Sequence, residues 1–117
     1  MIYPITPVPK PRQTQSDKWK KRPRVMQYRA FADDVRKLRV RVPEAGSRVI
    51  FTLPMPKSWS KAKRENMRGR PHRQTPDIDN LCKALLDALY ADDSVVWDIA
   101  IRKVWGDQGA IEIETTS

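Results

Sequence analysis

Between Asp77 and Tyr90 the apolar residues Ile78, Leu81, Leu85 and Leu89, joined by Ala84 and Ala88, form one unbroken stripe at helical spacing. A helix with so broad an apolar face needs an equally apolar surface to cover it, and a chain of 117 residues offers few candidates. Apolar residues are otherwise concentrated in 25–42, 48–54 and from the stripe on to 105. The segment Arg48-Val49-Ile50-Phe51-Thr52-Leu53 is β-branched, aromatic and short, so it reads as a buried strand entered through Ala45-Gly46-Ser47 and ended by Pro54. From Val25 to about Arg39, the residues Tyr28, Phe31, Val35 and Leu38 mark a second amphipathic helix, with Arg29, Arg36, Lys37 and Arg39 on the rest of its circumference.

Smaller elements complete the expectation. Residues 1–8 suit a short edge strand, since Pro4 and Pro7 confine it to an edge or a strand end. A short helix fits between Ser58 and Met67, with Ser58 or Ser60 as cap and Gly69 as the stop. Two strands close the fold: Val95-Val96-Trp97 running to Trp105, and Ala110 to Ile113, joined by a turn at Gly106-Asp107-Gln108-Gly109. The last strand alternates apolar and acidic residues, so one of its faces should be wet. The expected fold is α+β: one domain over residues 1–117, a small mixed sheet of about four strands with the helices near 25–39 and 77–90 packed on it.

Charge is divided sharply along the chain. Residues 1–76 carry 20 Lys+Arg against 5 Asp+Glu, whereas residues 77–117 carry 3 against 9. The excess lies in two basic arms, about 9–24 and 55–75, the first interrupted by Pro9, Pro11 and Pro23 and so unsuited to helix. Crowded cations displace counterions from phosphates, which makes nucleic acid the expected partner. The candidate DNA contacts are Lys10, Arg12, Lys18, Lys20, Lys21 and Arg22 in the first arm, and Lys61, Lys63, Arg64, Arg68, Arg70 and Arg73 in the second. A membrane surface is disfavoured, because no apolar run approaches a spanning length and no basic helix has a broad apolar face. The opening Met1-Ile2-Tyr3-Pro4-Ile5 lacks a charged leader followed by an apolar stretch, so no signal peptide is expected, and a single Cys82 fits a reducing cytoplasm.

Against this basic background stands an acidic centre. Thr75-Pro76 favours an extended Asp77 at the helix cap, with Asp79 in the first turn, so that a bend at the helix mouth lets both carboxylates converge. Lys83 lies four residues beyond Asp79, roughly 6 Å up the axis on the same face, in the favourable acid-then-base order, and Asp87 extends the polar stripe. Asp92-Asp93 follows one helix length later. Carboxylates without a Cys-His cluster suit a hard cation such as Mg2+, with Mn2+ as substitute, and phosphodiester hydrolysis is the natural reaction beside a phosphate-binding surface.

Plainer readings exist for each residue. Aspartates in a first turn favour the helix dipole without any metal, Asp79 and Lys83 can form a surface ion pair, and Asp92-Asp93 can be turn residues. Three acidic positions around one helix in so basic a chain is the coincidence that favours a site. Cys82 reads as a small core or boundary residue, and His72, between Arg70-Pro71 and Arg73, as a loop residue touching DNA. Trp97 and Trp105 are expected to pack in or beside a strand, whereas Trp19 and Trp59 either stack on exposed bases or anchor the basic loops.

The stretch Asp77-Ile78-Asp79-Asn80-Leu81-Cys82-Lys83-Ala84-Leu85-Leu86-Asp87-Ala88-Leu89, followed by Asp92-Asp93-Ser94-Val95-Val96, resembles the core motif of the RusA family of Holliday junction resolvases. The resemblance implies a homodimeric, Mg2+-dependent endonuclease that makes paired symmetric nicks in four-way DNA junctions during recombination and repair, in the cytoplasm of a bacterial or phage-infected cell. By position it implies metal-binding aspartates at Asp77, Asp79 and Asp93, a catalytic lysine at Lys83 and a supporting acid at Asp87. Where many members carry Pro-Pro-Ser-x-Asn after the first strand, this chain reads Pro7-Val8-Pro9-Lys10-Pro11-Arg12-Gln13-Thr14, a departure that bears on DNA contact more than on the catalytic centre. Two other functions stay open from residues alone: a non-catalytic basic nucleic-acid-binding protein, and a metal nuclease for flaps or forks.

Overall fold

A computed structural model describes residues 1–11 and 23–115. The elements are β1 (Ile2–Tyr3), α1 (Pro23–Lys37), β2 (Ser47–Pro54), α2 (Lys61–Met67), α3 (Ile78–Leu89), a 3-10 turn (Asp93–Val95), β3 (Ile99–Gly106) and β4 (Ala110–Thr115). The strands form one mixed sheet in the order β1-β4-β2-β3, with β2 parallel to β3 and antiparallel to β4. The α+β expectation of four strands and two main helices is met, with α2 as the third, shorter helix.

The core lies between one face of the sheet and the helices α1 and α3. Val49, Phe51 and Leu53 of β2 and Ile111 and Ile113 of β4 point into it, meeting Phe31, Ala32 and Val35 of α1 and Leu81, Ala84, Leu85 and Ala88 of α3. The spacing in α3 is the sequence stripe, and the period of two in β2 and β4 leaves Arg48 and Glu114 to pair across the open face at 3.8 Å. The two ends of α1 and α2 are set locally. Ser60 caps α2 by accepting from Lys63 N, and Gly69, at φ 79°, follows its end. Helix α1 closes in a Schellman motif: Val40 N donates to Val35 O, Arg39 N donates to Arg36 O, and Arg39 takes φ 55°.

Two expectations are corrected, the start of the third strand and the place of Trp97. The strand expected from Val95 begins only at Ile99, because the Asp92 side chain accepts from Ser94 N and winds 93–95 into a 3-10 turn. Trp97, outside the strand, is 76% exposed rather than packed, whereas Trp105 is buried. The last two strands are joined but do not form a hairpin, since β2 is inserted between them. β2 is the most apolar strand and takes the central position, so the 107–109 link must pass over its end. That passage is tight: a Cβ at Gly106 would stand 2.3 Å from Thr52 Cγ2, and one at Gly109 2.2 Å from Thr6 Oγ1.

Candidate active site

The mouth of α3 is reached by a strap, residues 69–77, that runs along the outer edge of β3. Gly69 N donates to Trp105 O, Trp105 N to Arg70 O, and His72 N to Lys103 O. The strap ends at Asp77, extended at φ −69° and ψ 145°, whose carbonyl accepts the first helical hydrogen bond from Leu81 N. Asp77 thus occupies the cap position, but its carboxylate makes no capping hydrogen bond. Asp79 sits in the first turn with Oδ1 on Asn80 N at 3.0 Å. Both line one cleft of about 560 Å3 with His72, Arg73, Gln74, Thr75, Ile78 and Lys103.

One turn up, Lys83 donates to Asp93 Oδ2 at 2.8 Å and lies 3.3 Å from Asp87 Oδ1. The local partner expected for it, Asp79, is replaced by a residue ten positions on, brought in by the turn after the helix. Asp93 and Asp87 hold the lysine's pKa above its ordinary value, and the Lys83 hydrogen bond holds the Asp93 carboxyl below the usual carboxylate range. Lys83 is therefore an ammonium throughout the neutral range, fitted to neutralise charge and not to act as a base. Asp92, by contrast, bonds the Ser94 amide and hydroxyl, which lower its pKa and commit it to the turn.

Cys82 lies between the two groups. Burial raises its pKa, with Asp93 and then Asp79 adding to the effect, so it remains an inert thiol and marks these two carboxylates as neighbours of the same stretch of helix. Among the described residues, no three of His, Cys, Asp and Glu are gathered as a ready ligand set. Asp93 is paired with the Lys83 ammonium at 2.8 Å. The carboxylate oxygens of Asp77 and Asp79 are donors that fit a hard divalent ion.

The basic residues separate into free and engaged. Arg68 forms a two-pronged pair with Asp107 at 2.8 and 2.9 Å, and Arg64 donates to the carbonyls of Trp59 and Pro56. Lys10 lies 3.4 Å from Asp87 and 4.3 Å above the Tyr28 ring. Lys61, Arg70 and Arg73 are exposed, and Lys63 covers the Trp59 ring at 4.3 Å. Arg12, Lys18, Lys20, Lys21 and Arg22, like Trp19, lie outside the described residues. Trp59 packs on Trp105, which settles it as a loop anchor.

His72 is the clearest departure from expectation. It is 6% exposed and stacks on Trp105 at 4.1 Å, with Nδ1 unpartnered, and burial followed by the Lys103 charge lowers its pKa. Its basic sequence neighbours concealed this, because Arg70 and Arg73 are exposed while His72 alone turns inward. Lys103 was missed altogether. Its ammonium bonds Gln74 O at 2.5 Å and Pro76 O at 2.7 Å, and burial lowers its pKa although Asp77 opposes the shift. A signal was present, since Lys103 alternates in phase with Ile99, Ile101 and Trp105 on the core-facing side of a strand.

No helix among the described residues is long and apolar enough to cross a membrane. A relative from Bacillus subtilis (strain 168), the uncharacterized protein YqaN, is 36% identical over 69 residues, covering 51% of this chain and 48% of that protein. The chain thus spans about half the length of the curated relative it matches. No solved structure matches it. The family model described as endodeoxyribonuclease RusA matches residues 4–116, nearly the whole chain, and takes in the cleft, the Lys83–Asp93 pair and strands β2, β3 and β4. The chain belongs to the RusA endodeoxyribonuclease family.

Proposed function

We propose that the protein is a Mg2+-dependent endodeoxyribonuclease that recognises four-way DNA junctions and, as a homodimer, cuts two opposing strands symmetrically. The observation that carries the reading is the Asp77 carboxylate, at a helix cap yet unused for capping, sharing a cleft with Asp79, Arg73 and Lys103. A purely structural aspartate at that position would bond the amides of the first turn.

Asp77, Asp79 and Asp93 would hold the cation, which when bound activates water and neutralises charge on the phosphate and leaving oxygens. Lys83, kept charged and oriented by Asp93, contributes a fixed positive charge toward the transition state. Arg73, exposed at the cleft, binds the backbone phosphate, and Lys61, Lys63 and Arg70 hold phosphates of the duplex limbs, so recognition rests on branched shape and charge. Two copies related by a twofold axis match the two equivalent strands of a junction.

The test is cleavage of a labelled immobile junction and of a linear duplex of the same sequence, with Mg2+ or EDTA, by the wild type and Asp79→Asn. Paired nicks in the junction alone, lost with EDTA and in the variant, are expected. Binding without cleavage in any divalent metal would leave a basic binding protein, and equal cutting of flaps or forks would change the substrate.

A further inference from the structure

We propose that Lys103 is a positioning residue that sets the orientation of Asp77 from the sheet, a role whose catalytic consequence rests on the nuclease reading above. An ammonium has three donors, and two of those of Lys103 go to the carbonyls of Gln74 and Pro76. The Pro76 carbonyl belongs to the peptide unit that ends at Asp77 N, so gripping it fixes the plane from which the Asp77 side chain departs. The same residue holds the strap a second time, since its own carbonyl accepts from His72 N at 3.0 Å.

Lys103 is itself immovable by ordinary standards. It pairs in register with Phe51 of the central strand, whose side chain is fully buried, and it is flanked by Trp105, which packs on His72 and Trp59. One sheet residue therefore stitches residues 72, 74 and 76 in succession, and the strap has no slack when it reaches Asp77. Nothing in the first turn of α3 does this work, because Asp77 makes no capping bond of its own. The third ammonium donor is left for the cleft that Lys103 lines with Asp77 and Asp79. A lysine present only for surface charge would leave its ammonium in water; this one is directed at two backbone oxygens.

The test compares the wild-type chain with Lys103→Met, which keeps the apolar stem, and Arg102→Met as a control on the opposite, exposed side of the strand. In metal-free protein, exchange of the hydrogen-bonded His72 and Leu81 amides should quicken at least about tenfold in Lys103→Met and stay unchanged in the control, with β2 amides protected in both. Mn2+ affinity without DNA should fall roughly tenfold or more, while junction affinity in EDTA is retained. In the wild type the Lys103 ammonium protons should exchange with solvent about tenfold more slowly than those of exposed Lys61, a comparison that survives a variant that fails to fold. Equal ammonium exchange, or unchanged amide exchange and Mn2+ affinity in a folded Lys103→Met, would overturn the proposal. A wild type that binds no Mn2+ but shows the exchange differences would refute the nuclease reading and leave Lys103 as the anchor of the strap.

Discussion

Replacing Gly106 by alanine should destabilise the protein through one identifiable atom. The added Cβ would lie 2.3 Å from Thr52 Cγ2, whereas the next nearest atoms, Gln108 O and Thr52 Cβ, stand at the ordinary contact distances of 3.6 and 3.8 Å. Thr52 is β-branched and held between β3 and β4, paired with Val104 on one side and Ala110 on the other, so it cannot swing clear. Overpacking of this kind costs roughly 1–3 kcal/mol, and the short distance places Gly106→Ala at about 2–3 kcal/mol. Thr52→Ser removes only Cγ2 and should cost about 0.5–1 kcal/mol, the loss of one partly buried methyl. In that background Gly106→Ala should cost less than about 1 kcal/mol, because alanine also restricts the unfolded chain. The coupling energy should therefore be about 1 kcal/mol or more. Urea unfolding of the four proteins measures it, with the midpoint of Gly106→Ala falling by about 1–2 M at unchanged slope. If Gly106→Ala costs the same in both backgrounds, the link between β3 and β4 does not pass over Thr52 as described.

Trp97→Ala should change stability by less than about 0.5 kcal/mol, since the ring is mostly exposed, whereas Trp105→Ala should cost about 3–5 kcal/mol; thermal melts of both variants check the reassignment of Trp97. Arg39→Gly should raise stability by about 0.5–1 kcal/mol, because φ 55° is a strained conformation for arginine and the Schellman bonds need only backbone; a lowered melting temperature would refute this. The Lys83–Asp93 pair should stabilise the fold across the neutral range. Asp93 has a depressed folded pKa, so its contribution is present above the usual carboxylate pKa near 3.8 and lost as pH falls through the lower folded value. Lys83 has a raised folded pKa, so its contribution is complete below 10.5 and lost only as pH rises beyond it. The difference in urea midpoint between wild type and Lys83→Met should accordingly be flat from pH 5 to about 9 and vanish in strong acid; a difference that already changes between pH 6 and 8 would contradict it.

What depends on neighbours in sequence was readable, and what depends on contacts between distant segments was not. The stripe of α3, the Ser60 cap, the Gly69 stop and the extended Asp77 each follow from a few adjacent residues. The link at Gly106-Asp107-Gln108-Gly109 was readable but the strand between its ends was not, because turn chemistry says where the chain bends, not which strand waits beside it. Val95-Val96-Trp97 has strand propensity, but an Asp92 side-chain bond and an edge position decide against it. In the site, the aspartates and Lys83 were visible as a spacing, yet the true partner of Lys83 is supplied by a turn ten residues away. Lys103 and His72 escaped notice because their roles exist only once the strap lies against β3.

The insertion of β4 between β1 and β2 also governs when the protein can come into being. Ile2 pairs with Glu112 and Ser47 with Thr115, so the first strand made has no hydrogen-bonded neighbour until the last one is synthesised. A ribosome adding about 5–20 residues per second can let α1 and α3 wind and β2 pair with β3 as they emerge, but the four-stranded sheet must wait for residues 110–115. Closure of the sheet is thus the latest step, and β1 stays unpaired for the whole length of chain that separates it from β4.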